Sequence, residues 1–88
     1  MPKLLHQENG FEFFVSTDDS LYPLVYVLRN EGFVKVHLGK PGFVLPFIIA
    51  YANLSPGEVE GVWECVTRNQ AWFMTEWEAI HGTPKRLK

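Results

Sequence analysis

This chain has few residues from which covalent cross-links could be built. Its 88 residues include a single cysteine, Cys65, so no disulfide bond can form within the chain. One cysteine gives no indication of an oxidising compartment, and a reduced cytoplasm is therefore the expected location. The stability of so small a domain must come from close packing, from association with a partner, or from both.

An excess of positive charge and long apolar runs are also missing. The formal net charge is -2 and the sequence pI is about 5.8. A general nucleic-acid binder usually carries a basic stripe, so this class is disfavoured. No apolar stretch reaches the roughly 18 residues that a membrane span requires, and the first residues lack the pattern of a signal peptide. We therefore expect no contact with a membrane.

Residues for catalysis or metal binding do not group along the sequence. His6, His37 and His81 fall in three separate segments and show none of the ligand spacings of a metal site. Cys65 lies inside a predicted helix without a histidine nearby in sequence, and we expect it to be a small buried hydrophobe. No set of nucleophile, base and orienting group can be assembled. The sequence thus predicts a non-enzymatic protein that uses no metal or other cofactor.

The first half of the chain is rich in strand-forming residues. Residues 11–15 predict a short aromatic strand, and Asp18 and Asp19 lie in a polar cluster typical of a turn. Turn residues at Asn30-Glu31-Gly32 predict a hairpin over residues 24–38. Pro46 interrupts a further apolar segment, 43–51, which therefore predicts an edge strand or a kinked extended segment.

The predicted hairpin has two faces that are both largely apolar. If Arg29 pairs with Gly32 across the turn, the four valines of the two strands share one face. The opposite face then carries six residues: Leu24, Tyr26, Leu28, Phe33, Lys35 and His37. A domain of this size can cover only one face of its sheet. We therefore predict that this second face binds a protein partner.

The second half of the chain predicts a helix. Ser55-Pro56-Gly57-Glu58 combines an N-cap serine, a proline at the first helical position and the glutamate of a capping box. An apolar stripe then continues toward the terminator Gly82, with an interruption that predicts a kink or a break near Asn69. Trp72 falls off this stripe, which leaves two alternatives: an exposed binding anchor, or a core residue that a kink rotates inward.

Together these patterns predict a compact α+β domain over residues 1–82. Its antiparallel sheet has three to four strands, and one long C-terminal helix, continuous or broken near Asn69, packs on one face. Residues 83–88 are predicted to be a basic flexible tail.

Several motifs occur in an order that resembles a known family. They are Met1-Pro2, Gly10-Phe11-Glu12-Phe13-Phe14, Pro23-Leu24-Val25-Tyr26-Val27, and the segment from Leu54-Ser55 to Trp77-Glu78-Ala79-Ile80-His81-Gly82. The chain resembles a family of small bacterial domains of unknown function with a Pro-His-Val-His-Val strand signature. Leu24 and Tyr26 stand where that family has its two histidines, so the resemblance implies no metal or acid–base role for the pair. Family genes often occur in settings like toxin–antitoxin modules, which implies a protein partner.

The favoured function is a non-enzymatic protein–protein interaction module that regulates or inhibits a partner and also forms a homodimer. Its predicted binding residues are the six on the second hairpin face together with Trp72. One alternative is a toxin-type or single-stranded nucleic-acid-binding protein, in which bases stack on Tyr26 and Phe33 beside Lys35 and Arg29. Another alternative is a phage- or plasmid-encoded inhibitor of a host defence complex.

Overall fold

The protein forms a five-stranded antiparallel sheet with two helices packed on one face. The computed structural model describes residues 2–17 and 22–82. In chain order the elements are β1 (Pro2–Glu8), β2 (Phe11–Ser16), β3 (Leu24–Arg29), β4 (Gly32–His37), β5 (Phe47–Ala52), α1 (Pro56–Arg68) and α2 (Gln70–His81). Each strand pairs with the next along the chain, which places β1 and β5 at the two edges. The turn predicted at Asp18 and Asp19 and the predicted tail 83–88 lie outside the described residues.

Tight turns set the register of the first two hairpins. Asn9 and Gly10 join β1 to β2 with φ values of 54° and 81°, the left-handed backbone that two-residue hairpin turns require. In the second hairpin Arg29 pairs with Gly32, as the sequence predicts. The predicted pairing of the four valines is therefore confirmed, and all four are fully buried.

The core lies between the sheet and the helices. Alternate residues of the strands point toward the helical layer, as the period of two in a strand requires. The buried core residues are Phe11, Phe13, Val15, Val25, Val27, Val34, Val36, Leu38, Val62, Cys65, Val66, Phe73, Met74 and Trp77. The burial expected for Cys65 is therefore confirmed, with 3% of its surface exposed.

The start of α1 is the one predicted from its capping box. The Ser55 hydroxyl accepts a hydrogen bond from the Glu58 backbone N–H at 3.1 Å, and the Ser55 backbone N–H donates to the Glu58 carboxylate at 2.8 Å. These two bonds satisfy backbone donors that a helix start leaves without partners. Neither described helix is long and apolar enough to cross a bilayer.

The helical segment is broken at Asn69, so of the two predicted alternatives the broken helix is the one observed, and the segment forms two helices. The Asn69 side-chain amide donates to the Cys65 carbonyl at 2.8 Å and so ends α1. The next residue, Gln70, begins α2 and donates to the carbonyls of Leu38 at 2.8 Å and Val44 at 2.7 Å. The break thus supplies hydrogen-bond donors to the segment between β4 and β5.

The strand count is also corrected, from three or four to five. The prediction missed β1, in which a bulge between Leu4 and His6 breaks the alternation of polar and apolar residues. The apolar segment 43–51 does contain an edge strand, but that strand begins at Phe47, immediately after Pro46. The Pro46 carbonyl accepts a hydrogen bond from the indole N–H of Trp63 at 2.7 Å, which joins the start of β5 to α1.

Candidate functional site

The face of the sheet opposite the helices carries three rows of side chains that run across the strands. Paired residues of antiparallel strands share a face, so the register defines each row. The rows are Leu4, Phe14, Tyr26, Lys35 and Ala50; Gln7, Glu12, Leu28, Phe33 and Ala52; and Leu24, His37 and Phe47. Both helices pack on the valine side of the sheet. We call these three rows the free sheet face.

Most residues of the free sheet face are apolar. Leu4, Leu28 and Phe47 are 45%, 42% and 43% exposed, and Tyr26 and Phe33 are half-buried among their neighbours on the sheet. Partly exposed aromatic side chains with apolar neighbours are typical of the centre of a protein interface. These side chains are neighbours and form one contiguous apolar patch, whereas the hydrophobic residues on the surface of a typical monomer are scattered singly.

Two of the polar side chains on this face, Lys35 and His37, pack against aromatic rings. The Lys35 ammonium lies 5.5 Å from the centre of the Tyr26 ring. The His37 ring stacks on Phe47 with centroids 4.5 Å apart and an angle of 10° between the planes. Burial lowers the pKa of His37 from its ordinary value, and its Nδ1 accepts a hydrogen bond from the Gly39 backbone N–H at 3.0 Å. Both observations favour the neutral imidazole.

Six of the seven predicted binding residues share this face, because the hairpin register places them there: Leu24, Tyr26, Leu28, Phe33, Lys35 and His37. Trp72 does not join them. It lies on α2, in the helical layer, with 42% of its surface exposed and its ring edge-on to His6 at 5.5 Å. Of the two alternatives for Trp72, the core residue is therefore not observed, and its role as a binding residue stays a prediction.

A second apolar region at the β5 edge was not predicted as part of the site. It comprises the segment before β5 and the outward residues of that strand: Phe43, Val44, Leu45, Phe47, Ile49 and Tyr51. Phe43 is 80% exposed and Leu45 is 60% exposed. The signal was present in the sequence, because residues 43–52 contain no charged side chain. Phe47 belongs to both regions, so the β5 edge extends the free sheet face at one side.

On the helix side of β1, three potential metal ligands come together. His6 Nε2 lies 3.0 Å from Glu8 Oε1, and the ligand atoms of His6, Glu8 and Cys65 all lie within 4.8 Å of one another. Glu8 Oε2 accepts a hydrogen bond from Arg68 at 2.6 Å. The Asn69 amide lies 3.6 Å from the Cys65 sulfur. This cluster joins edge strand β1 to the C-terminal end of α1.

The surroundings of Glu8 and Cys65 in the cluster shift their pKa values in opposite directions. Hydrogen bonds from His6 and Arg68 lower the pKa of Glu8 from 4.5 to about 2. Burial, followed by the nearby Glu8 carboxylate, raises the pKa of the Cys65 thiol from 9.0 to about 11. Without a bound cation Cys65 is therefore a protonated thiol at neutral pH, which is the opposite of an activated nucleophile.

Sequence spacing could not reveal this cluster. His6 and Glu8 are two residues apart on a strand that the prediction missed, and Cys65 lies more than fifty residues later in a helix. Residues i and i+2 of a strand point to the same side, so recognising β1 would have placed His6 beside Glu8. The third member, Cys65, depends on how α1 packs across the sheet.

Comparisons with known proteins return no match: no protein-family model, no curated protein and no solved structure is similar to this chain. The free sheet face and the His6–Glu8–Cys65 cluster therefore have to be interpreted from their own geometry.

Proposed function

We propose that this protein is a non-enzymatic protein-interaction module that self-associates through the free sheet face. The observation that carries the proposal is the set of three mostly apolar rows opposite the helices. Five strands at about 4.8 Å spacing make a sheet roughly 20 Å wide, and two helices of about 10 Å diameter cover one side of it. Among the described residues no third layer remains for the other side. A second protein surface would remove that side from water.

A second copy of the chain fits this face because the face carries one acidic and one basic residue on the two sides of β3, Glu12 and Lys35, which a two-fold rotation brings near each other. Consider a two-fold axis that runs along β3 in the plane between two facing sheets. It places β2 of one copy opposite β4 of the other, so that Glu12 lies one row away from the second copy's Lys35. The two long side chains can pair across that spacing, and each mostly apolar row then faces the same row of the second copy. A two-fold arrangement is also the commonest form of small oligomers.

Face-to-face packing is favoured over pairing of the β5 edges. Pro46 lies immediately before β5, and the register of β5 shifts between the partners of Lys35 and Val36. Prolines and bulges are the features that limit strand pairing at a sheet edge. In our proposal Phe47, which belongs to both apolar regions, forms the rim of the contact at this edge.

The charge distribution argues against single-stranded nucleic acid as the ligand. Lys35 is the single lysine or arginine on the free sheet face among residues 2–17 and 22–82. Arg29, which the alternative hypothesis places beside the aromatic residues, lies on the helix side, where it pairs with Glu58 at 3.1 Å and covers the Phe11 ring. Stacking on Tyr26 would therefore lack the basic track that binds successive phosphates.

Light scattering tests the proposal directly. At about tens of micromolar the protein should have twice the chain mass of 10.1 kDa. Glu12→Lys and Lys35→Glu should each weaken the dimer, because each brings like charges together, and the double variant should recover part of the loss. Glu60→Lys, an equal charge change at an exposed position of α1, is the control and should leave the mass unchanged.

Three results would contradict the proposal in whole or in part. A monomer at every accessible concentration would remove self-association. Salt-sensitive binding of labelled single-stranded RNA or DNA that Tyr26→Ala abolishes would instead support the nucleic-acid alternative. Self-association that the charge exchange leaves untouched would overturn the two-fold arrangement along β3.

A further inference from the structure

We propose that His6, Glu8 and Cys65 bind one divalent transition-metal ion of the zinc type and leave a fourth coordination position open to solvent. The site lies on the helix side of β1 and is separate from the free sheet face. It is a binding site additional to the proposed interaction surface and does not depend on it.

The ligand atoms are already close to the spacing that such an ion needs. Zinc binds imidazole nitrogen, carboxylate oxygen and thiolate sulfur at about 2.0–2.3 Å with tetrahedral geometry, which puts ligand atoms roughly 3.3–3.8 Å apart. Here the three atoms lie within 4.8 Å of one another, and His6 Nε2 and Glu8 Oε1 are 3.0 Å apart. Small side-chain rotations bring all three within reach of one ion. A nitrogen, oxygen and sulfur set favours zinc, cobalt and similar ions over magnesium or calcium.

Neighbouring groups hold the three ligands as the outer contacts of metal sites do. Arg68 donates to Glu8 Oε2 at 2.6 Å, which leaves Oε1 for the ion. The Asn69 amide lies 3.6 Å from the Cys65 sulfur, where it can donate to a thiolate. The His6 ring packs against Phe13 at 5.5 Å between centroids and edge-on against Trp72 at 5.5 Å. Such contacts orient ligands and control solvent access.

Charge and proton balance are simple. Binding breaks the Cys65 S–H bond, forms a sulfur–metal bond and releases one proton to solvent. The hydrogen bond between His6 and Glu8 is replaced by two bonds to the ion, and His6 then carries its ring proton on Nδ1. The ionised Glu8 gives the empty cluster one negative charge, and gaining a divalent ion while releasing one proton brings the cluster to zero net charge.

The exposure of the ligands indicates where the ion enters and where the fourth position lies. The side chains of His6 and Glu8 are 26% and 28% exposed, whereas Cys65 is buried on the helix side. An ion therefore approaches from solvent past β1 and meets the sulfur last. The open position faces outward, where water or a group of another molecule can complete the tetrahedron.

Titration of the chelator-treated protein with cobalt(II) is the primary test. We expect one ion per chain with micromolar or tighter affinity, the near-ultraviolet charge-transfer band of a cobalt–thiolate bond, and displacement by zinc. Cys65→Ser should abolish the band, and His6→Gln and Glu8→Gln should each weaken binding at least tenfold. His81→Gln, a half-buried histidine on α2 outside the cluster, is the control and should bind normally. Circular dichroism verifies that each variant is folded.

A second measurement uses the unaltered chain in case a variant fails to fold. Saturating zinc should slow alkylation of Cys65 at least tenfold and raise the melting temperature by several degrees, whereas magnesium should do neither. Absence of saturable cobalt or zinc binding up to about millimolar concentration would overturn the proposal. So would binding that Cys65→Ser leaves unchanged.

Discussion

Threonine substitutions on opposite faces of β4 distinguish the core from the free sheet face. Val36 and Phe33 are three residues apart on this strand, so their side chains point to opposite sides of the sheet. Val36 is fully buried beneath the helices, and Phe33 is half-buried between Leu28 and Ala52 on the neighbouring strands. Threonine is accepted in strands as readily as valine or phenylalanine, so strand propensity changes little in either variant.

The expected free energies of unfolding follow from these environments. Val36→Thr replaces a buried methyl group, worth about 1 kcal/mol, by a hydroxyl whose burial without a partner costs about 1–3 kcal/mol. The total of about 2–4 kcal/mol is a large part of the 5–15 kcal/mol that stabilises a typical domain. Phe33→Thr removes mainly cross-strand contacts, which contribute about 0.2–1 kcal/mol in the monomer.

The two variants should behave oppositely in association. A two-fold dimer loses Phe33 twice, and each interface aromatic contributes more than about 1 kcal/mol, so the dissociation constant should rise by more than about thirtyfold. Urea unfolding at a concentration where the protein is monomeric gives the stabilities, and light scattering gives the masses. If Phe33→Thr destabilises the monomer as much as Val36→Thr does and leaves the mass unchanged, the free sheet face belongs to the monomer core and our interpretation is wrong.

Two further predictions concern the helix start and a turn. A hydrogen bond from the Ser55 backbone lowers the pKa of Glu58 below its ordinary 4.5. The ionised Glu58 carboxylate therefore adds to the free energy of unfolding at neutral pH, and this contribution is lost as the pH falls below about 4.5. The difference in melting temperature between the wild type and Glu58→Gln should therefore narrow in acid; a constant difference would contradict this. Gly39→Ala should destabilise more than Gly42→Ala, because an added Cβ at Gly39 overlaps the Val44 backbone oxygen and at Gly42 meets nothing, although both have positive φ. Equal melting temperatures would refute this.

Local chemistry explains which parts of the fold were predictable. The capping box at Ser55 and the hairpin turn at Asn30 each act through hydrogen bonds within a few residues, and both are as predicted. β1 could not be recognised because its bulge breaks the alternation that identifies a strand. The break at Asn69 was one of the predicted alternatives, but its hydrogen bonds to the segment before β5 depend on tertiary packing.

The same division applies to the candidate sites. The free sheet face was predictable because hairpin register determines which residues share a side, and six residues follow from the pairing of Arg29 with Gly32. Trp72 is predicted as a binding residue because it falls off the apolar stripe, and that position does not specify which layer of the fold the residue occupies. The metal-ligand cluster requires contact between β1 and α1, which no local pattern encodes.

Side chains alternate between the two faces of β1, so this strand contributes residues to both candidate sites. The tests of dimerisation and of metal binding therefore use different residues of the strand. Leu4 and Gln7 belong to the free sheet face, and His6 and Glu8 point to the helix side. Substituting His6 or Glu8 therefore removes metal ligands without changing a side chain of the proposed dimer contact. Because β1 is an edge strand, its attachment to the helical layer depends on few groups, among them the ion pair between Glu8 and Arg68. A bound ion would strengthen that attachment on the helix side of the sheet.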